Sequence, residues 1–314
     1  MISSPHHPPA RVRVAGAAVA SVGGVALAVQ GRINGQLGYV IHDGVFAALI
    51  SFGIGTILLA VAVAATPSAR AGVVRLRDSV RGGQLRPWQC LGGACGAVFV
   101  TAQGVTVATL GVAVFTISVV AGQVVASLAV DRAGLGPADP QPVTLPRAVG
   151  AALAVVAVGI AVSDHAGIEA GGLWWALLPA VAGLGLAWQA AVNGLVRMES
   201  DHLVVPTLVN FSVGTVALLF AALVDALVRG LPGALPGEWW YYVGGPLGMI
   251  AIVTAVAAVK FTGVLLLGLA SVAGQLTGAV LLDIIVPTGG GLTLASVLGT
   301  SLTMVAVGIA AIRR

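Results

Sequence analysis

Residues 51–56, which read Ser-Phe-Gly-Ile-Gly-Thr, are the clearest sign of the architecture. They recur almost unchanged 159 residues later. Residues 210–215 read Asn-Phe-Ser-Val-Gly-Thr, so phenylalanine, glycine and threonine recur in register. Three more pairs match at the same offset without a gap: Gln30 with Gln189, Asn34 with Asn193, and Gly35 with Gly194. Polar and aromatic residues are scarce in this chain, so these matches indicate an internal repeat.

The repeat continues toward the C-terminus with smaller offsets. Further matches pair Trp88 with Trp240, Gln123 with Gln275, Asp131 with Asp283, and residues 156–161 with residues 305–310. The shrinking offset indicates that loops are shorter in the second copy while the helices keep their lengths. We therefore divide the chain into a tail at 1–11, a first repeat at 12–163, a linker at 164–171 and a second repeat at 172–314.

The composition excludes a soluble domain. Hydrophobic residues make up 58% of the chain and charged residues 8%, about a third of the charged share of an ordinary soluble domain. Continuous apolar runs such as 45–65 favour membrane-spanning helices over an outer-membrane barrel, whose strands alternate in polarity. The predicted spans, one to ten, are 12–35, 44–65, 88–107, 110–130, 147–163, 172–193, 204–227, 239–259, 262–282 and 293–312.

The basic residues predict the orientation of these spans. If the N-terminus is cytoplasmic, 13 of the 15 Lys and Arg residues lie inside, and only Arg32 and Arg229 lie outside. Both termini and the longest basic loop, residues 66–87, are then cytoplasmic, and the linker at 164–171 is periplasmic. Five spans per repeat place the second repeat upside down. The sequence therefore predicts an all-α polytopic membrane protein with ten transmembrane helices as two inverted five-helix repeats, the plan of many secondary transporters.

This plan resembles the drug/metabolite transporter (DMT) superfamily. Residues 30–37 and 48–56 are similar to the YdcZ family of inner-membrane exporters, in which Gln, then Asn and a small residue, end the first helix and Ser-Phe-x-x-Gly-Thr follows in the second. Asn210 departs from this pattern, because serine is its counterpart. The resemblance implies location in the inner membrane, a transport function, and a central pathway surrounded by spans one, three, four, six, eight and nine. It implies no particular substrate.

Uncharged polar residues within the spans are the main candidates for a solute pathway. An amide in hydrocarbon costs free energy unless it is hydrogen-bonded or faces a wet cavity. The predicted substrate-binding or gating residues are Gln30, Asn34 and Gln275 at the outer mouth, and Gln189, Asn193 and Gln123 at the inner mouth. The alternative for all six is hydrogen bonding between helices, at about 0.6–2 kcal/mol per bond. Packing is the favoured role of four weaker candidates, Ser51, Gln103, Trp188 and Asn210.

No acidic residue lies clearly at the middle of a predicted span. Asp131 and Asp283 end spans four and nine, where we expect water and headgroups to reach them, and they are the candidates for ion or proton coupling. A buried carboxylate for cation binding is therefore not predicted. We expect a neutral or zwitterionic solute, bound by amide and backbone dipoles.

The sequence predicts a secondary transporter that exports a small metabolite or drug-like solute by alternating access. The alternative is a non-transporting membrane scaffold or channel subunit. An intramembrane enzyme is least favoured, because we find no catalytic residues, metal site or cofactor motif; Lys260 is the only lysine and does not belong to a phosphate-binding loop. The expected partners are the lipid bilayer and a solute, with no nucleic acid, and the chain is expected to be a monomer or homodimer.

Overall fold

The computed structural model describes residues 10–136, 142–163, 172–287 and 293–310. The linker predicted at 164–171 and most of the tail lie outside these residues. The described part folds into nine α-helices and two short 3-10 turns, Pro87–Cys90 and Trp239–Tyr242. The helices are α1 Ala10–Val40, α2 Gly44–Ala65, α3 Pro67–Arg81, α4 Gly92–Arg132, α5 Leu145–Ser163, α6 Gly172–Ser200, α7 Val204–Arg229, α8 Gly244–Ile285 and α9 Leu294–Ala310.

The ten predicted spans correspond to eight of these helices, because α4 holds spans three and four and α8 holds spans eight and nine. Gly111 divides α4 into two arms with φ 77° and ψ 162°, a conformation that residues with a side chain rarely adopt. By length and apolar composition, α1, α2, α4, α6 and α7 are sufficient to cross a membrane, and the shorter apolar helices come from α5, α8 and α9. The all-α polytopic prediction is confirmed.

Helix α3 corrects the prediction of a basic loop at 66–87. Pro67 stands at its first position, where a missing backbone N–H costs nothing. Its buried residues are Ala69, Gly72, Leu76 and Ser79, which recur every three or four positions on one face. The periodicity was present in the sequence, but the arginines between these positions obscured it.

The first helix of each half packs against the other half. A Cβ added to Gly24 in α1 would lie 2.0 Å from the carbonyl oxygen of Ser271 in α8. At the equivalent place, a Cβ on Gly183 in α6 would lie 2.1 Å from the carbonyl oxygen of Val119 in α4. Only glycine allows backbones to approach so closely. These contacts define two units, the α1–α8 unit and the α4–α6 unit, each built from both repeats.

The remaining helices pair with their own counterparts. In the α2–α7 pair, the rings of Phe52 and Phe211 stack with centroids 4.8 Å apart. The carboxyl groups of Asp43, just before α2, and Asp225, near the end of α7, interact, so the two helices run antiparallel. Equivalent residues that meet on antiparallel helices define a two-fold relationship that inverts one repeat relative to the other, as predicted. Helices α5 and α9 are also antiparallel, because a Cβ on Gly299 near the start of α9 would lie 2.8 Å from Cβ of Ala161 near the end of α5.

Candidate transport site

Four polar residues from three helices meet at one end of the bundle, the predicted periplasmic end, and we call them the Asn34 cluster. They are Gln30 and Asn34 from α1, Ser51 from α2 and Gln103 from α4. Asn34 is fully buried, and its Nδ2 donates a hydrogen bond of 2.8 Å to Oε1 of Gln103. This bond joins the α1–α8 unit to the α4–α6 unit. It brings together Asn34, one of the six main candidate residues, and Gln103, one of the four weaker ones.

Glycines of α8 leave room for this cluster. A Cβ on Gly244 would lie 2.3 Å from Oδ1 of Asn34 and 2.9 Å from Oγ of Ser51, and a Cβ on Gly248 would lie 2.9 Å from Nε2 of Gln30. A side chain at either position would therefore clash with the amides. The repeated glycines keep the α8 backbone beside the cluster.

The Asn34 cluster contains buried polar atoms without a partner. Within the described part of the chain, Oε1 of Gln30, Oδ1 of Asn34 and Oγ of Ser51 are inaccessible to solvent and make no hydrogen bond. Buried polar groups in folded proteins are nearly always paired, and an unpaired one costs about 1–3 kcal/mol. Unsatisfied atoms on three neighbouring side chains provide acceptors for the hydrogen-bond donors of water or a solute.

The second repeat builds an equivalent Asn193 cluster from Gln189, Asn193 and Asn210. A Cβ on Gly92 would lie 3.0 Å from Oδ1 of Asn193, and a Cβ on Gly96 would lie 2.9 Å from Oε1 of Gln189. The arrangement reproduces that of Asn34 and Gln30 against α8. Oε1 of Gln189 and Oδ1 of Asn210 also have no hydrogen-bond partner among the described residues.

The two clusters differ at two positions, because Asn210 replaces Ser51 and the counterpart of Gln103 is apolar. The counterpart of Gln103 is Ala255, so the amide that bonds to Asn34 is not duplicated in the Asn193 cluster. Because Gln103 is not duplicated, the internal repeat gives no signal for it, and the sequence ranks it only as a weaker candidate. A lone amide within an otherwise apolar span was the available signal.

The other predicted residues lie away from these clusters or pack against aromatic rings. The backbone nitrogen of Gln275 lies beside Gly24, about 9 Å along α1 from Gln30, and that of Gln123 lies beside Gly183 in the same way. The described contacts therefore place Gln103, rather than Gln275, next to Asn34. The indole of Trp188 stacks on Trp88 with ring centroids 6.3 Å apart, in accordance with a packing role.

Asp283 was expected to be accessible to water, and this expectation is wrong. Asp283 is only 3% exposed. Its two carboxylate oxygens accept hydrogen bonds from the backbone N–H groups of Val112, at 3.1 Å, and Ala113, at 2.8 Å. These groups begin the second arm of α4, where a helix has N–H groups without intrahelical partners. The residues around Asp283 do not predict this cap, because it depends on the break at Gly111 in a different helix.

Arg32 lies close enough to Asp283 for their opposite charges to attract each other. Arg32 is 5% exposed, and its Nε and Nη1 have no hydrogen-bond partner within the described residues. A single buried charge would be strongly unfavourable, so Asp283 compensates Arg32 electrostatically. In the other repeat Asp131, which is 43% exposed at its side chain, forms an ion pair with Arg147 of α5 instead. Asp131 is accessible, as expected.

An inverted five-plus-five repeat with matching polar clusters between its helices is the architecture of a membrane transporter. A family model described as "Putative inner membrane exporter, YdcZ", of the DMT class, matches residues 15–160 and again residues 174–310. The chain therefore belongs to the YdcZ family of inner-membrane exporters. The separate matches to the two halves agree with the internal repeat. No curated protein matches the chain at a significant level.

Proposed function

We propose that the protein is a secondary transporter that exports a small neutral or zwitterionic solute by alternating access. The observation that carries this proposal is the Asn34–Gln103 hydrogen bond, which joins the α1–α8 unit to the α4–α6 unit at one mouth. The Asn193 cluster, built from the counterparts of Gln30, Asn34 and Ser51, is proposed to line the opposite mouth. Both termini are cytoplasmic in this proposal, which makes the Asn34 cluster periplasmic.

The motion that fits this arrangement is a rocking of the two units about the α2–α7 and α5–α9 pairs. Opening the mouth at Asn34 breaks its bond to Gln103 and separates Asp283 from the start of the second α4 arm. A hydrogen bond between membrane helices contributes about 0.6–2 kcal/mol, so its loss is easily offset by new bonds to a solute or to water. The unpaired oxygens of Gln30, Asn34 and Ser51 are the acceptors that such a solute would use.

The chemistry of the clusters favours an uncharged or zwitterionic solute with N–H or O–H groups. The Asn34 cluster consists of three amides and a hydroxyl, the Asn193 cluster of three amides, and neither includes a carboxylate. Coupling to a proton or ion is proposed to act through Asp131 or Asp283. Protonation of Asp283 would weaken its contact with the second arm of α4, because a protonated carboxyl group accepts the hydrogen bonds of Val112 and Ala113 less strongly than a carboxylate.

The test is a thermal-shift screen of the purified protein with a metabolite library, followed by counterflow of the labelled ligand in proteoliposomes. A ligand that binds the folded state raises the melting temperature. We expect counterflow with the wild type and with the loop control Gln84→Leu, and a loss of at least tenfold with Asn34→Leu. A ligand that binds but shows no counterflow in the wild type would favour the scaffold function.

A further inference from the structure

Helix α3 has no counterpart between α7 and α8, because the described residues 230–243 contain only the four-residue turn Trp239–Tyr242. It starts two residues after α2 ends, so it lies where α2 leaves the membrane. The insertion contributes no residue to the Asn34 cluster or to the Asn193 cluster. Its role therefore needs an explanation of its own, and the following inference does not depend on the proposed transport function.

One face of α3 is docked on the turn between α6 and α7. The guanidinium of Arg75 donates hydrogen bonds of 3.0 and 2.7 Å to the carbonyl oxygen of Ser200, and Ser79 donates one of 2.6 Å to Glu199. Leu76 packs in an apolar cluster with Val205. These contacts fix the orientation of α3 on the protein.

The opposite face of α3 carries three arginines around two exposed valines. Arg70, Val73, Val74, Arg77 and Arg81 recur every three or four residues and so share this face. Val73 is 37% exposed and Val74 is 47% exposed, and they are the two large hydrophobic side chains exposed on α3. Arg77 pairs with Asp78, so the face retains a net positive charge after this ion pair is counted.

We propose that this face of α3 binds the anionic headgroups of phospholipids at the membrane surface. A helix with cationic and aliphatic side chains together on one face is suited to the boundary between headgroups and acyl chains, where arginines meet phosphates and valines leave water. A purely aqueous surface would explain the arginines but not the two valines between them. The position of α3 directly after a membrane span keeps this face at the depth of the headgroups.

Bound lipid would also stabilise the ends of α6 and α7 that α3 contacts. Because α3 is tied to Ser200 and Glu199 at the end of α6 and packs on Val205 at the start of α7, a lipid that immobilises α3 immobilises these two helix ends as well. Anionic lipid should therefore raise the melting temperature of the whole protein. High salt should weaken this effect, because mobile ions screen charges at an exposed surface.

The first experiment measures the depth of α3 in a bilayer. The full-length protein, with Cys90→Ala and Cys95→Ala, carries a spin label at Val74→Cys or, as a control, at Gln84→Cys in the following loop. It is placed in nanodiscs of phosphatidylcholine and phosphatidylglycerol. We expect the label at 74 to collide more with oxygen, which concentrates in lipid, and the label at 84 to collide more with a water-soluble nickel complex. Equal preference for nickel at both sites would overturn the proposal.

The second experiment measures the selectivity for charge. The variant R70Q/R77Q/R81Q is compared with R11Q/R86Q/R132Q, which removes three other exposed arginines from the same predicted side. Phosphatidylglycerol retained after detergent washing is measured by mass spectrometry. We expect a decrease of about fivefold per arginine in the α3 variant alone, and recovery in R70K/R77K/R81K, which keeps the charge. Equal retention in the two glutamine variants would contradict headgroup binding by α3.

Discussion

Thr56 and Thr215 occupy equivalent positions in the two repeats, and their side-chain oxygens lie within hydrogen-bonding distance of each other, at 2.7 Å. Two equivalent residues can meet only on the two-fold axis that relates the repeats. The axis therefore passes between α2 and α7, beside the stacked rings of Phe52 and Phe211. The stretch of sequence that reveals the repeat is thus also the contact about which the repeats are arranged.

The Asn34–Gln103 bond predicts non-additive effects on stability. Asn34→Leu and Gln103→Leu should each lower the free energy of unfolding by about 0.6–2 kcal/mol, and the double variant should cost less than their sum because both changes remove one bond. Asn193→Leu is the matched control, because the position equivalent to Gln103 in the second repeat is Ala255. Thermal unfolding in detergent measures the effects. Strict additivity in the double variant would show that the bond contributes nothing.

The Arg32–Asp283 pair predicts partial rescue. Asp283→Leu leaves Arg32 buried without a compensating charge and uncaps the second α4 arm, so it should cost about 3–5 kcal/mol. The double variant R32L/D283L should be more stable than Asp283→Leu alone, because no buried charge remains. Asp131→Leu, at the accessible counterpart, should have a much smaller effect. If the double variant were the least stable of all, the electrostatic link would be wrong.

Gly111 predicts a conformational requirement. Gly111→Ala should destabilise the protein by about 1–3 kcal/mol, since its φ of 77° is unfavourable for alanine. Gly53→Ala is the control, because a Cβ there would meet no atom within 4 Å and the residue is helical. That change should be neutral or stabilising by up to about 1 kcal/mol. Chemical denaturation distinguishes the two, and similar effects at both sites would argue against a break at Gly111.

Asp43 predicts a dependence of stability on pH. Burial raises the pKa of its carboxyl group, the neighbouring Asp225 raises it further, and the N–H groups of Phe46 and Val45 act in the opposite direction. A raised pKa means that the folded protein binds the proton more tightly than the unfolded chain. The resulting stability is present below about pH 4, the ordinary range of aspartate, and is lost as the pH rises through the folded-state pKa.

The variant Asp43→Asn tests this dependence, because asparagine also caps helices well. The melting temperature of the wild type should fall relative to that of the variant as the pH rises from 4. Arg229 forms an ion pair with Asp225, with Nε and Oδ1 3.5 Å apart, and His42 precedes Asp43 in the chain, so the comparison is made between the two proteins at each pH. Parallel melting curves across this range would mean that Asp43 does not titrate in this way.

The sequence was sufficient to predict the membrane-spanning helices, but not α3, whose buried positions are interrupted by arginines. Gln30, Asn34, Gln189 and Asn193 could be found because a rare residue that occurs twice in register is a strong signal. Gln103 could not be found in this way, since its counterpart is Ala255. Asp283 was placed correctly at the end of its span, but its burial depends on a break in a different helix, and no local pattern connects the two.

We expect that transport requires the contact between the two units at Asn34 and Gln103 to break. A disulfide between Gly31→Cys and Gln103→Cys tests it most directly, since a Cβ on Gly31 would lie 3.8 Å from Cγ of Gln103. Cys90 and Cys95 are replaced by alanine, and each single variant is oxidised as a control. Counterflow of the ligand found in the screen is then measured before and after reduction. We expect flux at least tenfold lower in the oxidised protein and recovery on reduction. Full flux through the cross-linked protein would show that transport does not require this contact to break.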